Sequence, residues 1–85
     1  MSPKQASAAR AWLGWSQKDL AERAHLSLST VKYFENGSRK LRASNVAAIR
    51  YALEAAGIVF VFDSEGNPKG IHVNRGWGIA DYETE

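Results

Sequence analysis

The 85-residue sequence predicts a mostly α fold, four or five short helices followed by a small C-terminal β-hairpin. Three observations predict it. Between residues 3 and 57, apolar residues recur three and four positions apart, the spacing of one helix face. Serines and glycines punctuate that stretch at Gly14, Ser16, Ser27, Gly37, Ser44 and Gly57, where helices would start and stop. The period then changes at "IVFVF", Ile58 to Phe62, a β-branched and aromatic run too short for a helix.

The first helix is expected from about Pro3, a favoured first-turn residue, to Leu13, with Ala6, Ala9, Arg10 and Leu13 on one face. Gly14 stops it. Ser16 then opens "SQKD", a capping-box-like start with Asp19 three residues on, for a second helix to about Ala24. Leu20, Ala21 and Ala24 form its inner face. Ser27 caps a third helix from Leu28 to about Asn36, with Val31 and Phe34 inward and Gly37 at its end. A very tight turn at His25 joins the second helix to the third. Glycine would be easier there, because such a corner tends to need positive φ. Histidine, with Asn and Asp, is among the non-glycine residues most enriched at positive φ. His25 is therefore read as a tolerated corner residue, with a phosphate contact by the charged imidazole as the weaker alternative.

The loop "GSRKLRA" follows, and Ser44 is the expected cap of a fourth helix with Val46, Ile49, Arg50 and Leu53 on one stripe. Gly57 terminates it. After the strand Ile58 to Phe62, "DSEGNPKG" supplies turn residues and "IHVN" alternates as a return strand. From Gly76 the tail has no period and three acids, and is expected to be mobile. The organisation is thus a helical domain over residues 1–57, a hairpin over 58–75 and an acidic tail over 76–85.

The hairpin carries a second message. Ile58, Phe60 and Phe62 face one way and Val59 and Val61 the other, so both faces want covering. One side can pack on the chain's own helices. An isolated hairpin is marginal in water, so Val59 and Val61 are the expected dimerisation residues of a symmetric homodimer. Tyr51 or Leu53 of the fourth helix is a second candidate for the seam.

Composition narrows the function. One small domain buries only about 60% of its unfolded surface. The absence of cysteine excludes disulfides and thiolate metal sites. Residues 1–10 lack an apolar signal-peptide core, and no apolar run approaches the roughly 20 residues of a membrane span. A cytoplasmic chain with no membrane association is expected. The two histidines, His25 and His72, fall in different modules with no clustered acids, so no metal or other cofactor is expected. No serine has a motif-placed base and no glycine-rich phosphate loop occurs, so enzyme chemistry is not expected.

Charge is more informative than its net value of +2. Residues 1–53 hold nine Lys and Arg against three acids, a balance of +6; residues 54–85 hold two against six, a balance of −4. This asymmetry suggests a polyanion-binding face on the first part.

Two short helices joined by a tight turn is the unit that places its second helix in the major groove of DNA. Ser16, Gln17, Ser27 and Ser29 put backbone N–H groups and short polar side chains at two helix N-termini, which favour phosphate. The outward positions of the third helix, Leu28, Ser29, Lys32 and Tyr33, mix donors, an acceptor and an apolar tip, as a base-reading surface needs. Arg39, Lys40 and Arg42 lie just beyond it, within reach of flanking phosphates. Tyr33 could instead pack facing solvent. Trp12 and Trp15, near the first helix junction, are read as core or rim packing rather than base stacking.

Residues 8 to 53 resemble the Cro/C1-type helix-turn-helix family of bacterial and phage repressors, also called the Xre family. "SQKDLAERA" resembles its first motif helix, and "LSLSTVKYFENG" its turn and recognition helix, ending in "E-x-G". "ARAWLGWSQ" resembles the lead-in of short bacterial members, and "IVFVFD…GIHV" the hairpin some of them carry. The resemblance implies a lambda-repressor-like bundle and duplex DNA as partner. It implies that Gln17 contacts a phosphate and braces the recognition helix. It further implies that Leu28, Ser29 and Tyr33 read bases with Lys32 beside them, and that Asn36 and Arg39 touch the backbone. Arg10 and Glu35 match a structural ion pair. His25 departs from the family's glycine. Leu28 forms no hydrogen bonds, so it either touches a thymine methyl or leaves that base pair unspecified.

The function expected is a sequence-specific regulator of transcription, a dimeric repressor on a palindromic operator. Phosphate contacts would come from Gln17, Ser27, Asn36, Arg39, Lys40 and Arg42. The rival is a protein-interaction module on the same fold, antiactivator or antitoxin-like, binding a protein partner through the hairpin or fourth helix.

Overall fold

The computed structural model describes residues 1–73; the expected acidic tail and the last two residues of the expected hairpin domain lie outside them. The order is α1 Pro3–Leu13, α2 Gln17–Ala24, α3 Leu28–Asn36, α4 Ala43–Ala55, β1 Ile58–Phe62 and β2 Pro68–Val73. Four helices and a two-stranded antiparallel hairpin thus make up the described chain.

Helix ends follow the local chemistry. The Ser16 hydroxyl accepts from the Asp19 N–H at 3.0 Å, and the Asp19 carboxylate accepts from the Ser16 N–H at 2.9 Å, a reciprocal box that satisfies two otherwise orphan donors. An equivalent box, unread in the sequence, starts α1: Ser2 with Gln5, at 3.0 and 2.9 Å. His25 ends α2 in the left-handed region at φ 58° and ψ 42°, the one non-glycine residue with positive φ among those described. Gly37 ends α3 in the same way at φ 69°.

The expected cap at Ser44 is corrected. Helix α4 begins two residues earlier than that cap implies, at Ala43, with Arg42 in the cap position and no side-chain cap hydrogen bond. Extended backbone at Arg42 suffices, and its carbonyl accepts from the N–H of Asn45 and of Val46. Ser44 therefore lies inside the first turn.

The core gathers Ala6 and Ala9 of α1, Leu20, Ala21 and Ala24 of α2, Val31 and Phe34 of α3, Ile49 and Leu53 of α4 and Ile58 of β1. Fully burying each larger apolar side chain contributes roughly 1.5–3 kcal/mol. Leu53 is inside, so it is not free for a seam between subunits. Arg50, expected on the inner stripe, points out instead; it lies 3.8 Å from Glu54 on the next turn. Trp12 is not core either, being 60% exposed, whereas Trp15 is half-buried beneath the Arg23 guanidinium at 4.2 Å.

The return strand begins earlier than expected, at Pro68, so three residues assigned to the turn belong to β2. Ile58 pairs with Val73, Phe60 with Ile71, and these four pack toward the helices. Val61 pairs with Gly70 and Phe62 with Pro68, which leaves Lys69 as the extra residue of a bulge. The amide of Gln5, a buried polar residue, closes this irregularity. It donates to the carbonyls of Val61 at 2.9 Å and Gly70 at 2.8 Å. The hairpin is fastened to α1 at its distal end and to the core at Ile58.

Candidate nucleic-acid interface

The pair α2–α3 is set by a short corner and a buried brace. His25 lets the chain reverse, so that Ser27 can cap α3 by accepting from the Thr30 N–H at 3.2 Å. Beneath it, Arg10 of α1 forks onto Glu35 of α3, Nε to Oε2 at 2.9 Å and Nη2 to Oε1 at 3.0 Å. The Arg10 Nη1 donates to the Trp15 carbonyl at 3.0 Å, and the Gln17 amide donates to Glu35 Oε1 at 3.1 Å. One carboxylate therefore fixes α3 against α1 and the first residue of α2. The Glu35 side chain is only 6% exposed and that of Arg10 20%, so the pair works at lower effective dielectric than a surface bridge.

Away from its core residues Val31 and Phe34, α3 is bare. Leu28, Ser29 and Lys32 are exposed there, and Tyr33 is half-buried. Beside them runs an open groove of about 420 Å³ between the start of α3 and the loop before α4. Ser27, Ser29, Tyr33, Arg39, Lys40 and Arg42 all line it, so six of the ten expected DNA residues meet on one surface. The Arg39 guanidinium lies over the Tyr33 ring at 4.1 Å, a contact that no sequence pattern announced. It joins the two expectations for Tyr33, since the ring both packs and stays at the surface.

Individual roles divide. The Ser27 hydroxyl is already engaged by the Thr30 N–H and hydroxyl, the latter at 2.8 Å. The start of α3 also offers an anion its unpaired first-turn N–H groups. Gln17 spends one N–H on Glu35 and stands half-buried at the start of α2. Asn36 is exposed, its side-chain oxygen accepting from the Ser38 N–H at 2.9 Å, and it lines a different concavity from Arg39. Val59 is 41% exposed and Val61 half-buried.

No helix among the described residues is long and apolar enough to cross a membrane. Among those residues no three His, Cys, Asp or Glu side chains converge as a metal site would need.

Comparison with known proteins agrees with this geometry. A family model described as "Helix-turn-helix" matches residues 7–54, more than half of the chain and the whole of α2, the corner and α3. No curated protein matches the chain.

Proposed function

The chain belongs to the Cro/C1-type helix-turn-helix family of DNA-binding regulators, and from that premise we propose that it is a dimeric, sequence-specific repressor reading a palindromic operator. The observation that carries the reading is the single surface uniting the exposed side of α3 with Arg39, Lys40 and Arg42. With α3 in the major groove, Leu28, Ser29, Lys32 and Tyr33 face base edges, each good polar pair discriminating by about 1–3 kcal/mol. The loop cations and the N-termini of α2 and α3 hold phosphates on either side, giving affinity without sequence.

The partial exposure of Val59, with Val61 half-buried, supports a second copy as the partner there. A two-fold dimer then sets half-sites about 34 Å apart, one turn of the duplex. The same residues favour the alternative in which the hairpin engages a different protein. Selection from a randomised duplex pool at about 150 mM salt tests the reading, because phosphate contacts alone enrich nothing. An enriched inverted repeat with one-turn spacing is expected. An enriched single half-site removes the dimer. No enrichment by the folded protein removes sequence reading and leaves protein docking through the hairpin.

A further inference from the structure

A second concavity, of about 680 Å³, lies at the other flank of the end of α3. Three elements build it: α1 with its cap, through Ser2 to Gln5 and Ala8, the end of α3 through Glu35 to Gly37, and β2 through Pro68 to Ile71. Most of these residues come from outside the matched segment 7–54. We propose that this groove is a second phosphate-gripping surface, in which Lys4 and the bulge residue Lys69 hold the DNA backbone flanking the site read by α3. The inference rests on the DNA-binding reading above and extends the footprint to α1 and the hairpin.

The two lysines favour an anionic occupant. Lys4 and Lys69 are exposed, and among the described residues neither is in an ion pair. The one carboxylate lining the groove, Glu35, is already bound by Arg10 and Gln17. A backbone donor adds to the cations. Pro3 has no N–H, the Gln5 N–H goes to the Ser2 hydroxyl and the Ala6 N–H to the Ser2 carbonyl. The first-turn N–H left over at the positive end of α1 is that of Lys4 itself.

Position supports the same occupant. The turn 36–39 joins the two concavities: Asn36 and Gly37 line this one, and Arg39 lines the other. A duplex held at Arg39 therefore has this groove across the same short turn. The hairpin is rigid enough to contribute, because the Gln5 amide clamps both carbonyls beside the bulge. Of the hairpin acids, Asp63 already accepts the N–H groups of Glu65 and Asn67 at 2.9 Å, and neither it nor Glu65 lines the groove.

The test is the salt dependence of duplex binding by the full chain and by Lys4→Ala, Lys69→Ala and the double variant, with Arg39→Ala as reference. The probes are the duplex enriched by selection and a scrambled one. Each phosphate contact removed lowers the slope of log K against log salt by about 0.9. The double variant should therefore lose nearly two units of slope while its preference for the selected duplex over the scrambled one stays constant. Lys69→Arg should keep the full slope. A slope lowered by Arg39→Ala but unchanged in the double variant overturns this groove alone. If the folded wild type binds neither duplex, the DNA-binding reading and the groove fall together.

Discussion

The side-chain amide of Gln5 donates to the backbone carbonyl of Gly70, 65 residues further along the chain, at 2.8 Å. With the companion bond to Val61 it is the polar tie between the helical part and the hairpin. Removing the amide leaves two carbonyls short of a donor, and each unsatisfied buried group costs about 1–3 kcal/mol. Gln5→Leu should destabilise the protein by roughly 2–3 kcal/mol and release the amides of β2 first. Hydrogen exchange checks this; uniform protection loss across α2, α3 and β2 would mean that the tie has no local role.

Arg10→Met should cost about 3 kcal/mol. That is the low end for breaking a buried pair, since Arg10 keeps one fifth of its side chain in solvent. The Arg10→Met/Glu35→Leu double variant should recover most of that loss, because burying two apolar groups leaves no uncompensated charge. Its duplex affinity should stay low, since Gln17 loses the carboxylate that orients it. Chemical denaturation and binding curves measure the two effects separately; a double variant no more stable than Arg10→Met would contradict the account.

At the corner, left-handed backbone at φ 58° costs a side-chain-bearing residue of order 1 kcal/mol, more for a β-branched one. His25→Gly should change stability little, as relief of strain offsets the greater freedom of glycine in the unfolded chain. His25→Val should lower it by more than about 1 kcal/mol. Thermal melts rank the three, and a Val variant as stable as wild type would show that the corner carries no strain.

Arg39→Ala should weaken binding to all duplexes alike and flatten the salt slope, as loss of a phosphate contact does. Tyr33→Ala, in contrast, should relax sequence preference and, by removing the ring beneath Arg39, also lower affinity modestly. Equal selectivity before and after Tyr33→Ala would take the ring out of base reading and leave it as a platform for Arg39.

The Asp19 carboxyl sits below the ordinary aspartate value, chiefly because it accepts the Ser16 N–H, helped by the Ser16 hydroxyl. A depressed folded-state value stabilises the protein above the unfolded value, near pH 4, and that contribution disappears as pH falls through the folded one. The stability gap between wild type and Asp19→Ala should therefore be full at neutral pH and narrow below about pH 4. Urea melts at several pH values follow it, and a gap constant down to strongly acid pH would exclude the ionised cap.

The sequence by itself determined the helices, the corner and the strand switch, because each depends on neighbours within four residues. Ser16 with Asp19, Ser27, Gly14 and Gly37 are cap signals whose hydrogen bonds close within one turn. Periodicity likewise marked Leu20, Val31, Phe34 and Ile49 as core. Ser44 misled because a serine near a helix start is one candidate among several backbone entries, and extended Arg42 served without a side-chain bond. Only the tertiary structure decided the rest. Arg39 over Tyr33, Gln5 across the bulge and Lys4 with Lys69 on one concavity unite residues whose separation in the chain carries no periodic signal. The Arg10–Glu35 fork is of the same kind, legible beforehand through family resemblance and not through spacing. The physical reason is range: caps and stripes are set by local geometry, whereas these contacts exist only after burial of the common core has brought α1, α3 and the hairpin together.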